Sequence, residues 1–189
     1  MVFRVGFVTG ATPDKWARAW RDRSRVPLEL VPVSPEDQQT ALAELDMCLV
    51  RLPVEAADLH VIALYQETPV VVLAQDHYLT LAERVSLADL AEEQLVLGHP
   101  YTWTPQVDQL TWPQMTVKDA IEVVASGQGI VLLPKSIGRL HHRKDVVSRE
   151  VDDLAPTTVA LAWRQDRDDD LTQAFVAVVR GRSANSSRR

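Results

Sequence analysis

The run TVKDAIEVVASGQGIVLLP, residues 116–134, holds a helix, a glycine turn and a strand in direct succession. Thr116 followed three residues later by Asp119 forms a capping box, in which each side chain covers an exposed backbone N–H at a helix start. Ala120, Ile121, Val124 and Ala125 then recur at helical spacing and give one apolar face. Gly127 ends the helix, because glycine enters the left-handed C-terminal position cheaply. Ile130–Leu133 is an apolar run long enough for a buried parallel strand. Pro134 closes it and opens a short helix, PKSIGRL. Gly127-Gln128-Gly129 is not a dinucleotide fingerprint. That motif runs strand, glycine turn, helix, with the helix N-terminus facing the pyrophosphate. Here the order is reversed, and the third glycine position holds Leu132.

Upstream, strands and helices alternate. Val2–Val8 reads as a buried strand, and Thr12 with Pro13 as the cap and first turn of a helix carrying Trp16 and Trp20 four apart. Leu28–Val33 is a second strand. Ser34-Pro35-Glu36-Asp37 leads into a second helix through Leu42 and Leu45, and Met47–Val50 is a third strand. Three strands joined by two helices predict a parallel sheet. Two apolar runs follow, His60–Leu64 and Val70–Leu73. Ser86–Asp89 repeats the capping box and predicts a short helix, and Leu95–Leu97 predicts a strand. His99–Trp112 is a long loop of the kind that often carries function. Val146–Val147 and Val159–Trp163 are further strands, and a helix through Leu171, Ala174, Phe175 and Val178 closes the pattern. Gly181–Arg189 is small and polar, the composition of a disordered tail.

The 189 residues suffice for one large domain or two small lobes. Hydrophobic content of 46% and charged content of 24% fit a globular protein. A net charge of −6 argues against this chain alone gripping nucleic acid. No apolar run reaches membrane-spanning length, and Met1 leads into a strand rather than a signal peptide. One cysteine forbids an internal disulfide, so the expected compartment is the cytoplasm. Cys48 lies inside an apolar strand, where a buried, inert thiol is expected. His141 and His142 are adjacent and project to different sides, which leaves no metal-ligand spacing. No cofactor or metal is expected.

Five pieces in this order resemble the effector-binding region of LysR-type transcriptional regulators. They are FRVGFVTG, LELVPVSPEDQQTALAELDMCLVRLP, HVIALYQETPVVVLAQDHYLTLAERVSLADLAEEQLVL, IEVVASGQGIVLLPKSIGRL and VALAWR. The resemblance covers Phe3 to about Arg180 and implies a type-2 periplasmic-binding-protein fold. In that fold two α/β lobes are joined by two crossing strands and bind a small molecule in the cleft between them. Lobe I would take residues 1–72 and 162–182, lobe II residues 73–161, and residues 183–189 the disordered tail. The family pairs its effector regions as homodimers through lobe helices, and as tetramers in full-length proteins. Its first helix commonly lies at the dimer contact, so part of the Trp16/Trp20 stripe is expected there. The family's winged helix–turn–helix has no room here. The chain is therefore expected to be a trimmed piece or a standalone domain, with DNA reached only through an N-terminal domain it lacks. A second departure is Asp76-His77-Tyr78, where the family has proline after the histidine.

The effector-binding candidates sit where strands meet helices. Thr9, Gly10 and Thr12 lie at the first such turn, where an open parallel sheet places its ligand, although Thr12 is explained as well by capping. Ser34 occupies the corresponding second turn and also fits a cap. Arg51 follows the third strand and could hold a carboxylate bidentately, against the alternative of a solvated loop arginine. Thr68 opens the strand expected to be the last of lobe I. In lobe II, Trp103 is either a wall of the site or an anchor tucked into its own lobe. Thr116, Val117 and Lys118 start the central helix, and Lys118 opposes the helix dipole there, which suggests an anion nearby.

Three functions remain open. The first is a sensor of a small-molecule effector, with a carboxylate as the class that Arg51, Lys118 and the two helix starts suit. The second is a solute-binding receptor of a transport system with the same fold. The third is an enzyme on this fold, such as the porphobilinogen deaminase-like chains that tether a cofactor to a loop cysteine. Cys48 looks wrong for that role, and no catalytic spacing declares itself.

Overall fold

Residues 1–181 are described by the computed structural model, in two units: Met1–Tyr65 with Thr158 onward, and Gln66–Thr157. The expected disordered tail at 183–189 lies outside the described residues.

In the first unit, β1 (Phe3–Val8), β2 (Leu28–Val33) and β3 (Met47–Arg51) alternate with α1 (Asp14–Arg23) and α2 (Gln38–Glu44). β1 is central and parallel to both neighbours, pairing Val8 with Val33 and Phe7 with Leu49. β9 (Thr157–Arg164) joins antiparallel to β3, with Arg51 opposite Val159. β4 (Leu59–Glu67) completes the order β2-β1-β3-β9-β4. The apolar residues of α1 and of α5 (Asp170–Val179) cover one face of this sheet. Phe3 stacks on Trp20 at 5.2 Å, and Phe175 meets Trp20 edge-on at 5.6 Å. Both Trp16 and Trp20 are buried, so the stripe expected in part at a dimer contact is core. Leu42 and Leu45 cover the other face together with Cys48, Ala160 and Ala162. β1 comes close to that layer at Gly6, where an added Cβ would lie 2.7 Å from Cys48 Sγ.

In the second unit, β5 (Pro69–Ala74) is antiparallel to both β7 (Val131–Pro134) and β8 (Val146–Val151), so the run expected as a parallel strand at 130–133 pairs antiparallel with β5. The two-residue β6 (Arg84–Val85) runs parallel to β8 at the edge. α3 (Val117–Ala125) and α4 (Lys135–Leu140) pack on one face with Val70, Val72 and Val131. The other face is covered by turns and loop carrying Leu79, Leu90, Tyr101 and Trp103.

Several expectations are corrected. The unit boundaries fall at 65/66 and 157/158 rather than 72/73 and 161/162. β5 is the cause: both of its edges are taken by β7 and β8, so it is the centre of the second sheet. Ser86–Asp89 makes the capping hydrogen bonds, with Ser86 N–H donating to Asp89 Oδ2 at 2.7 Å, yet the chain turns without forming a helix. Leu95–Leu97 is a single bridge from Leu95 to Ile130, because the chain leaves the sheet immediately into the long loop. Pro13, already in the right-handed helical region at φ −78°, takes the N-cap position of α1 in place of Thr12, which lies exposed beyond it. α2 likewise opens late, at Gln38.

Candidate functional site

The C-terminal edge of β1, β2 and β3 gathers most of the first unit's candidates. Thr9 and Ser34 follow paired residues of parallel strands, so the two turns lie side by side. Thr9 is fixed there by its N–H and its hydroxyl, which donate to Val33 C=O at 3.1 and 3.3 Å. Gly10 turns the chain at φ +89°, a value that side-chain-bearing residues rarely adopt. Ser34 caps the turn before α2, accepting from Asp37 N–H at 3.2 Å and donating to its carboxylate at 2.7 Å.

Arg51 ends β3 at the level of Thr9. It is not a solvated loop residue: only 7% of it is exposed, and Nη2 donates to Thr9 C=O at 3.2 Å. Its backbone is held by a residue that sequence reasoning missed. Gln38 Oε1 accepts from Arg51 N–H at 3.0 Å, while Gln38 Nε2 donates to Arg51 C=O at 2.9 Å. The next residue repeats the device, since Gln39 accepts from Glu55 N–H at 3.1 Å and donates to Glu55 C=O at 3.3 Å. A carboxamide has the donor–acceptor geometry of a peptide unit, so each glutamine serves the chain after β3 as one rung of a ladder. Helix patterning does not announce this, because both residues sit in the polar first turn of α2.

The second unit carries the remaining candidates. Thr116 caps α3 as read from sequence: Asp119 N–H donates to its hydroxyl at 3.2 Å, and Thr116 N–H donates to the Asp119 carboxylate at 3.3 Å. Val117 is half-buried and Lys118 exposed beside this cap. Thr68 does not open a first-unit strand. It lies in the second unit, where its carbonyl accepts from Lys135 N–H at 2.9 Å at the start of α4. Trp103 packs on the apolar face of its own unit and stacks on His99 at 6.4 Å.

Cys48 is buried, and burial pushes its thiol up to about 12, so it is no nucleophile at neutral pH. Among the described residues no group of three or more His, Cys, Asp or Glu could hold a metal. No helix of the described residues is long and apolar enough to cross a membrane. Away from the strand ends, α1 and the edge strand β2 enclose a groove of about 430 Å³, lined by Asp14, Ala17, Arg18, Arg21, Leu28 and Leu30.

Comparison with known proteins places this arrangement. The regulatory domain of a mutant OxyR from Pseudomonas aeruginosa superposes with a TM-score of 0.72 at 23% identity, over 95% of each chain. The BenM effector-binding domain with its effector benzoate gives 0.74 at 21% identity, over 95% of this chain and 90% of that one. At these identities the likeness is one of fold. The HTH-type transcriptional regulator AlsR of Bacillus subtilis (strain 168) is 25% identical over 194 residues. That alignment takes in 92% of this chain but only 64% of the length of AlsR. The model of the LysR substrate binding domain matches residues 12–184, nearly the whole sequence, and by that match the chain belongs to the LysR substrate-binding domain family.

Proposed function

We propose that this domain senses a small-molecule effector that carries a carboxylate, and that it does no chemistry on it. The observation that carries this reading is Arg51. Its guanidinium stands at the C-terminal edge of three parallel strands, where such sheets take their ligands, and both its backbone and its side chain are held in place. Thr9, Gly10, Thr12 and Ser34 share that edge and are the proposed first-unit contacts. Thr68, Trp103, Thr116, Val117 and Lys118 are the proposed second-unit contacts. Benzoate, the effector in the BenM structure, is itself a carboxylate. An effector acts by binding one arrangement of the protein better than another, and shifts their balance only by that difference.

The test is a thermal-shift panel of benzoate, short aliphatic carboxylates and their uncharged amides on the wild type and on Arg51→Ala. A ligand at a hundred times its dissociation constant stabilises the folded state by about 2.7 kcal/mol. The expected result is a shift with one or more carboxylates, none with the amides, and loss of the shift in Arg51→Ala. Equal shifts in wild type and variant would remove Arg51 from the site, and consumption of the ligand would bring back an enzyme.

We further propose that the domain pairs as a homodimer through α1 and β2, with tetramers formed in a full-length regulator whose separate domain contacts DNA. Arg18 and Arg21 stand on the rim of the groove over Leu28 and Leu30, and neither is in an ion pair among the described residues. Residues 66–157 carry 13 Asp and Glu against 7 Lys and Arg, the complementary charge for that rim. Sedimentation of Arg18→Glu/Arg21→Glu tests it, with a shift to monomer expected at concentrations where the wild type is dimeric. An unchanged dimer would move the contact elsewhere.

A further inference from the structure

Two glutamines of the second unit hold each other's backbone. Gln94 Nε2 donates to Asp108 C=O at 3.0 Å, and Gln94 Oε1 accepts from Leu110 N–H at 2.8 Å, so its carboxamide brackets Gln109. In return, Gln109 Nε2 donates to Glu93 C=O at 3.0 Å, and its Oε1 accepts from Leu95 N–H at 2.7 Å, bracketing Gln94. Gln109 Nε2 also reaches Val107 C=O at 3.1 Å. Four hydrogen bonds of ladder type are thus made by side chains where the backbone forms no strand pair.

The two halves of this clasp differ in their footing. The Gln94 half is anchored in the sheet: Ile130 N–H donates to Gln94 C=O at 2.8 Å, and Val96 N–H donates to Ile130 C=O at 3.0 Å. Gly129 lets the chains come this close, since a Cβ there would lie 2.5 Å from Gln94 O. The Gln109 half is exposed, and its neighbour Gln106 adds one tie, from its N–H to Ala91 C=O at 2.8 Å. Between the halves runs the loop that carries His99, Tyr101 and Trp103. It is organised within itself by the Tyr101 N–H bond to His99 Nδ1 at 3.2 Å and by the stacking of the rings. Tyr101 and Trp103 then lie on the apolar face formed by residues such as Leu90, Ile130 and Leu132.

We propose that Gln94 and Gln109 are positioning residues whose reciprocal clasp makes residues 98–110 a strap, closed and opened as one piece on the second unit. Both carboxamides reach their partners only when the two segments are in register, so loss of one loosens the bonds of the other. The strap sets where Trp103 stands. Its bearing on effector binding rests on the reading of Trp103 as a contact, whereas its opening does not.

Amide hydrogen exchange on the full chain, without ligand, tests the strap. In Gln94→Ala and in Gln109→Ala the hydrogen-bonded amides of the strap, Tyr101 and Gln106, with those of Leu95 and Leu110, should exchange roughly 10- to 100-fold faster together, while β5 and β8 keep wild-type rates. In the double variant the acceleration should fall well short of the product of the single effects, as coupled contacts require. Gln109→Glu keeps the acceptor for Leu95 N–H and loses the donor to Glu93, so it should fall between wild type and Gln109→Ala. Effects that multiply, or a Gln109→Ala protein as protected at Tyr101 and Gln106 as the wild type, would overturn the proposal and leave the effector reading standing.

Discussion

Gln38 grips Arg51 by both backbone groups, at 3.0 and 2.9 Å, and so the first residue of α2 fixes the last residue of β3. The guanidinium of Arg51 in turn holds Thr9 C=O at 3.2 Å. A helix start, a strand end and the first turn are thereby joined through one glutamine.

Gln38→Ala removes two hydrogen bonds to a part-buried backbone and should cost about 1–3 kcal/mol, read as a lower urea midpoint with unchanged slope. Gln38→Glu keeps the acceptor for Arg51 N–H but sets a carboxylate oxygen against Arg51 C=O, and should recover only part of the loss. Any carboxylate that shifts the melting of the wild type should bind Gln38→Ala more weakly than it binds a surface variant of equal stability. Equal binding would limit Gln38 to a structural role.

The close approach at Gly6 should make even one methyl group costly. A Cβ there meets Cys48 Sγ at 2.7 Å and a Leu45 methyl at 2.8 Å, both in a packed layer. Gly6→Ala should destabilise by about 1–3 kcal/mol through overpacking. Gly6→Ala/Cys48→Ala should recover part of this, because the sulfur makes way. A double variant no more stable than Gly6→Ala would assign the strain to Leu45 instead.

The Cys48 thiol should stay silent to a disulfide-exchange reagent at pH 8 in the folded protein. Burial holds its pKa near about 12, so almost none is thiolate, and the sulfur is shielded. One equivalent should react after unfolding in guanidinium. Rapid labelling of the native protein would show that the α2 layer opens.

Acid should weaken the fold in a defined window. Arg143 binds the Asp145 carboxylate at 2.9 and 2.8 Å and holds its pKa at about 2, below the ordinary 3.8. Hydrogen bonds from Ser86 lower Asp89, and the bond from Gln173 leads those that lower Asp168. A carboxylate depressed in the folded state stabilises above its unfolded pKa, and that contribution is lost as pH falls through the folded value. Melting temperature should therefore drop between about pH 4 and 2. Asp145→Asn should flatten part of that slope, and a slope unchanged by the substitution would assign the acid response to the other carboxylates.

What was legible in the sequence was local. The Thr116–Asp119 capping box, the Gly127 stop and the strand at 131–134 lie within a few residues of one another, and side-chain spacing encodes them. The alternation of β1 to β3 with α1 and α2 was legible for the same reason. What depends on distant partners was not. Val70–Leu73 looks the same as a strand of either unit until residues 131–134 and 146–151 pair with it. Leu95–Leu97 has a strand's composition but finds one bridge. Of the candidate site, the strand ends naming Thr9, Gly10, Ser34 and Arg51 followed from the parallel pattern. Gln38 did not, because a polar residue in a polar helical turn carries no signal that its amide replaces a strand.

The aromatic centre of the first unit is assembled from opposite ends of the chain, with Phe3 and Trp20 closed over by Phe175. During synthesis at roughly 5–20 residues per second, α1 waits on the order of 7–30 s before α5 exists to cover it. In that interval the two tryptophans of α1 face water or a chaperone. The second unit, encoded wholly between the two halves, has all its residues in hand first. A chain ending at residue 157 would hold every residue of the second unit while still lacking the α5 that closes the core of the first.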